Sequence, residues 1–153
     1  MKIGIYGQFY HKNSEIYVQM LLDALHKRAA QVVIEENFLG IINQNQEITK
    51  NFSGFSTFSE LDASYDLFFS IGGDGTLLKA VSFVADLGIP IVGINTGRLG
   101  FLATIQKEEM TDSLNQILEG KYSISERSLL TVETAPHCDE IQPLNFAPNE
   151  VAI

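Results

Sequence analysis

The sequence has one cysteine, few basic residues and no long apolar run, and each scarcity removes a class of protein. A lone Cys138 allows no disulfide within the chain and no cysteine-built zinc site; it suits a reducing compartment and a small core residue better than a nucleophile. The 10 Lys and Arg stand against 19 Asp and Glu, a net charge of -9. Such a field repels the phosphate backbone of nucleic acid and anionic membrane surfaces alike, so neither is an expected partner. No stretch approaches the roughly 18 consecutive apolar residues of a membrane span. The opening Met1 to Gln8 is broken by glycine and glutamine too early for a signal peptide, which makes the cytoplasm the expected address. His11, His26 and His137 lie far apart without metal-ligand spacing, and no metal site built by protein alone is expected.

What remains is 153 residues, 45% hydrophobic and 19% charged, enough for a globular unit with a buried core. Ile3 to Tyr6 is a short apolar run ending at Gly7. A helical stretch follows, with Tyr17, Met20, Leu21, Ala24 and Arg28 on one face and Ser14 as its cap. Val32 to Ile34 reads as a second buried strand. The span from Asn37 to Ser64 is weakly periodic and rich in Asn, Gln and Ser, and it is expected to be mostly loop. Leu67 to Ile71 is a continuous apolar strand, and from Thr76 the positions Leu77, Leu78, Val81, Val84 and Ala85 follow a helical period as far as Gly88. Pro90 opens a strand from Ile91 to Ile94. A further helix carries Met110, Leu114, Ile117 and Leu118 and closes at Gly120.

Strands alternating with helices predict an α/β fold: a parallel, Rossmann-like nucleotide-binding sheet flanked by helices, over residues 1–120. From Tyr122 the period changes to two, through Ile124, Glu126, Leu130 and Val132, with a connection from Pro136 to Pro143. Residues 121–153 are therefore expected to begin a second, β-rich domain, which the chain leaves truncated within an apolar run.

An acidic chain that binds a phosphorylated ligand needs local help from backbone N–H groups, a few cations or a metal ion. Gly72-Gly73-Asp74-Gly75-Thr76, between a buried strand and a helix, offers that help. Its glycines permit close approach of backbone to ligand, and the following helix aims unpaired N–H groups and a positive dipole end at a phosphate. Asp74 sets a carboxylate where open parallel sheets bind ligands, able to take a proton from a hydroxyl nucleophile or to hold it in line for phosphoryl transfer. Alternatively Asp74 only caps the helix and the glycines only make a tight turn.

This segment resembles the loop of the NAD kinase and lipid kinase superfamily, and that of phosphofructokinases. A second segment, Pro90-Ile91-Val92-Gly93-Ile94-Asn95-Thr96-Gly97-Arg98-Leu99-Gly100-Phe101-Leu102, is similar to a strand and loop typical of NAD kinases. A third, Asn149-Glu150-Val151-Ala152-Ile153, resembles the Asn-Glu or Asn-Asp pair of the same family, although Pro148 stands where an apolar residue is usual. The chain thus resembles the amino-terminal portion of an NAD kinase.

The resemblance implies transfer of the terminal phosphate of ATP, or of polyphosphate, to the adenosine ribose 2'-hydroxyl of NAD, giving NADP, with a divalent metal such as Mg2+ carried by the nucleotide. It implies Asp74 as base or orienter of the hydroxyl, and Gly72, Gly73, Gly75 and Thr76 as the phosphate-facing loop. Leu78 and Phe101 would line the adenine pocket, Phe101 being equally readable as core. Asn149 and Glu150 would hold the dinucleotide, and Arg98 is a candidate phosphate contact. A homo-oligomer is implied as well, and the half-length chain is expected to lack turnover by itself. A lipid or diacylglycerol kinase and a non-catalytic nucleotide-binding module are the alternative functions.

Overall fold

The computed structural model describes residues 1–9, 14–28, 31–48, 52, 54–97, 102, 105–131 and 146–147, which fall into two compact units, Met1–Tyr122 and Ser123–Ile153. In the first unit six strands form one sheet: β1 (Lys2–Gly7), β2 (Gln31–Glu35), β3 (Ser56–Phe58), β4 (Leu67–Gly72), β5 (Ile91–Asn95) and β6 (Ile105–Gln106). Their order is β3-β2-β1-β4-β5-β6 and every pairing is parallel. The helices are α1 (Ser14–Lys27), α2 (Glu36–Gln44), α3 (Asp74–Val84) and α4 (Met110–Leu118). Helix α3 packs on β4, β5 and β1, α2 on β2 and β3, and α1 against α4. In the second unit, β7 (Leu130–Thr131) and β8 (Phe146–Ala147) pair antiparallel, Leu130 with Ala147 and Thr131 with Phe146.

The six residues of β4, Leu-Phe-Phe-Ser-Ile-Gly, are all buried, as a strand covered on both faces requires. Phe68 stacks edgewise on Phe58 at 5.8 Å and meets Phe83 of α3 at 6.2 Å, while Tyr6 meets Phe83 at 5.1 Å. This aromatic cluster fixes α3 against three strands. Gly4 makes it possible: a Cβ there would stand 2.6 Å from the Phe68 ring, so β1 must be bare where that ring crosses it.

Two expectations are corrected. The span from Asn37 to Ser64, read as loop, contains most of α2 and all of β3. Its helix is short, and its start is set by a side chain rather than by period: the Glu35 carboxylate accepts hydrogen bonds from the N–H groups of Asn37 (3.2 Å) and Phe38 (2.8 Å) and from the Asn37 side chain (2.9 Å). Phe38, Leu39 and Ile42 then enter the core. On α1 the buried stripe is Val18, Leu21, Leu22 and Leu25 rather than the face centred on Met20 and Ala24, and Met20 is 39% exposed. Ser14 is itself the first, buried, residue of that helix. Among the described residues no helix is long and apolar enough to cross a membrane.

At the amino edge of the sheet the Lys2 ammonium lies 3.9 Å over the Tyr65 ring and donates to Ser64 Oγ at 2.6 Å. Hydrogen bonds from Ser64 hold the Asp62 carboxyl below its usual range. Because that folded value is depressed, its small contribution is present above the unfolded value and is lost as pH falls through the folded one. An NMR titration of Asp62 should therefore show a midpoint below that of a model aspartate, moving back up in Ser64→Ala. Glu35→Ala should cost about 1–2 kcal/mol, read as a lower urea midpoint with unchanged slope, since it strips the cap from α2 and leaves donors in a buried place.

Candidate functional site

The chain winds outward from β1 to β2 and β3, then returns to β4 and winds outward the other way to β5 and β6. In an open parallel sheet, ligands bind beyond the carboxyl ends of the strands at the point where the winding reverses, here between β1 and β4. Gln8 follows β1 on one side of that point, and on the other Gly72 ends β4, with Gly73 and Asp74 following it. The Gln8 N–H donates to the Ile71 carbonyl at 3.1 Å, so the two strand ends stay tied one residue beyond the ladder.

The turn from β4 into α3 is built around a buried threonine. Thr76 has no exposed surface, and a Cβ on Gly72 would overlap its hydroxyl and lie 2.9 Å from its Cβ, so only glycine lets the helix begin this close to the strand. The Thr76 hydroxyl accepts from the Gly73 N–H at 3.3 Å and donates to Gln8 Oε1 at 3.4 Å. Gly73 and Gly75 differ from Gly72: among the described residues, a Cβ on either would meet nothing within 4 Å. Packing against the described residues does not demand glycine at these two positions; Gly75 is exposed and Gly73 half-buried.

Asp74 is the first residue of α3, not a loop residue before it, and is half-buried. A carboxylate in a first helical turn is favoured by the aligned peptide dipoles. Its Oδ1 accepts from the Leu102 N–H at 3.1 Å, which ties the first glycine segment to the second. The two are also joined through the sheet. Gly72 is in register with Asn95, and the Thr96 N–H donates to the Gly72 carbonyl at 2.9 Å. Asn95, 1% exposed, accepts from the Gly97 N–H through Oδ1 at 2.9 Å, an Asx turn that bends the chain as it leaves β5.

Gly72, Gly73, Asp74, Gly75 and Thr76 therefore lie together at the carboxyl edge of the sheet, with Leu78, 38% exposed, further along the same helix. The Thr76 side chain is turned inward and engaged by protein groups, so what it can offer a phosphate is its backbone N–H, one of those the first helical turn leaves without an intrahelical partner. Arg98, Phe101, Asn149 and Glu150 lie outside the described residues. Sequence reasoning assigned no role to Gln8, Asn95 or the Leu102 N–H. Asn95 before Thr-Gly carried a turn signal, but the partners of Gln8 and Leu102 are 68 and 28 residues away and leave no local trace. Among the described residues no three His, Cys, Asp or Glu side chains converge as a metal site would require.

The family profile described as ATP-NAD kinase N-terminal domain matches residues 3–122. NAD kinase of Christiangramia forsetii is 54% identical over 153 residues, all of this chain and 52% of that protein. NAD kinase of Flavobacterium psychrophilum is 45% identical over the same 153 residues, again 52% of its length. The chain thus spans about half the length of the curated relatives it matches. The crystal structure of yeast NADH kinase complexed with NADH shares the fold at a TM-score of 0.65 and 18% identity, over 86% of this chain and 41% of that one.

The two kinds of glycine at the turn should separate in denaturation experiments. Gly72→Ala is expected to lower stability by about 1–3 kcal/mol through overlap with Thr76. Gly75→Ala, in open space within a helix, should be neutral or gain up to about 1 kcal/mol.

Proposed function

This chain belongs to the ATP-NAD kinase family, and from that premise we propose that the protein carrying it phosphorylates NAD at the 2'-hydroxyl of the adenosine ribose. The observation that carries the reading is the placement of Asp74, a half-buried carboxylate at the winding reversal of the sheet, oriented by the Leu102 N–H and flanked by two glycines whose missing Cβ positions meet none of the described residues. The 2'-oxygen attacks the terminal phosphorus of ATP or polyphosphate, the bond from that phosphorus to its bridging oxygen breaks, and ADP or the shortened polyphosphate leaves. Asp74 accepts the hydroxyl proton or holds the hydroxyl in line.

Gly73 and Gly75, with the backbone N–H groups of the first turn of α3, face the phosphates; Leu78 and Phe101 line the adenine pocket, Asn149 and Glu150 hold the dinucleotide, and Arg98 pairs with a donor phosphate. A divalent cation such as Mg2+, brought by the phosphates and met by at most a carboxylate from this chain, would neutralise the charge that develops during transfer. With this reading go a cytoplasmic location, a homo-oligomeric state, and a β-rich continuation of residues 121–153 that completes the dinucleotide pocket. The 54% and 45% identities to NAD kinases favour NAD over a lipid as acceptor.

The full-length protein should form NADP from NAD, ATP and Mg2+, and the nearly isosteric Asp74→Asn should lower kcat by about 100-fold or more. An active parent with an equally active variant would remove Asp74 from the mechanism, and an inactive parent would remove the reading. Gly75→Ala, which the fold tolerates, should raise the KM for substrate by crowding the phosphate approach. The 153-residue chain alone should give no NADP.

A further inference from the structure

We infer that the ring of Phe9 stacks the nucleobase of the phosphate donor, an inference that rests on the phosphoryl transfer proposed above and adds to it the residue that receives the base of ATP. Phe9 is the second residue past β1, beside the winding reversal of the sheet. Gln8, just before it, is pinned by its N–H to the Ile71 carbonyl at 3.1 Å. The Phe9 ring rests on Phe38 of α2, with centroids 5.6 Å apart and planes tilted by 40°. Phe38 is 1% exposed and covers Gly7, where a Cβ would overlap its ring. The Glu35 carboxylate accepts from the Phe38 N–H at 2.8 Å and so fixes the turn of α2 that carries this support.

Phe9 itself remains half-buried. Part of the ring packs on Phe38, and part stays exposed at the edge where an open parallel sheet binds its ligands. Charge gives the chain little hold on a nucleotide, because a net charge of -9 opposes the phosphates. Stacking meets no such opposition, since every base has a π-face on which a flat aromatic ring can lie.

The chemistry of transfer decides which base this is. The attacking hydroxyl belongs to the ribose that bears the acceptor's adenine, so that adenine stays close to Asp74, on the side of Leu78 and α3. Attacking and leaving oxygens lie roughly in line on opposite sides of the phosphorus, so the donor extends away from the acceptor. A ribose and two inner phosphates separate the donor's base from the reacting phosphorus. Asp74 opens α3, which follows β4, whereas Phe9 leans on α2, which packs on β2 and β3 in the other half of the sheet. A nucleoside triphosphate laid across the reversal thus sets its terminal phosphorus at Asp74 and its base on Phe9.

Calorimetric titration of the full-length protein with ATP and Mg2+, without NAD, tests this. Phe9→Leu should raise the Kd for ATP about five- to tenfold, and Phe9→Tyr, which keeps the ring, should stay near the parent value. Leucine preserves an apolar contact with Phe38, so Tm should change little. Inorganic triphosphate, which has the phosphates and no base, should bind the parent and Phe9→Leu alike, and so should NAD. In phenylalanine-labelled parent protein, NOEs from the Phe9 ring to H8 or H2 of bound ATP report the stack without any variant. Absence of those NOEs, an ATP affinity unchanged in Phe9→Leu, or an equal loss of affinity for inorganic triphosphate or NAD would overturn the inference. A full-length protein that stacks ATP in this way yet forms no NADP would instead remove the proposed reaction and leave the Phe9 site standing.

Discussion

The register of β4 between β1 and β5 is the constraint on which the rest of the first unit depends. Each of its six residues is buried, so the strand cannot slide by one position without turning Phe68 away from the aromatic cluster and exposing the opposite face. The same register ends the strand at Gly72, opposite Asn95 on one side and one residue past the Ile71–Gly7 pairing on the other. A hydrophobic fit in the middle of the sheet thereby decides where a polar turn emerges at its edge. Packing and site placement are one event.

The turn itself shows how a polar site is held by buried bonds rather than by surface charge. The chain as a whole is acidic, and its net charge of -9 opposes a phosphorylated ligand. What it provides instead is backbone: an exposed Gly75 and a half-buried Gly73, the first turn of α3, and a carboxylate braced by the Leu102 N–H. The bracing groups, Thr76 and Asn95, have almost no exposed surface. Their hydrogen bonds are therefore screened from water, which gives short polar contacts more orienting power than they would have outside.

The elements that sequence reasoning located well are those whose signal is long and one-dimensional. Leu67 to Ile71, apolar but for Ser70, and Ile91 to Ile94 appear as β4 and β5, each one residue longer. Met110, Leu114 and Ile117 keep a helical period and are the buried stripe of α4, with Gly120 in the left-handed region after it at φ 75°. Helix α2 escaped because nine residues give only about two and a half turns of period, and because its start is decided by Glu35, which reads in sequence as an ordinary strand-end charge. The three residues of β3 and the two of β6 are strands only because neighbours offer them a ladder.

By itself the sequence determined the alternation of strand and helix, the glycine segment at Gly72 to Thr76, and the second glycine segment after β5, since these are written in contiguous residues with a fixed period or composition. Tertiary structure alone decided that the two segments meet, that Thr76 is buried while Gly75 is exposed, and that Gln8 reaches across from β1. The reason is physical: each of those facts depends on hydrogen bonds and buried contacts between residues distant along the chain, and such pairings leave no mark in the local order of amino acids.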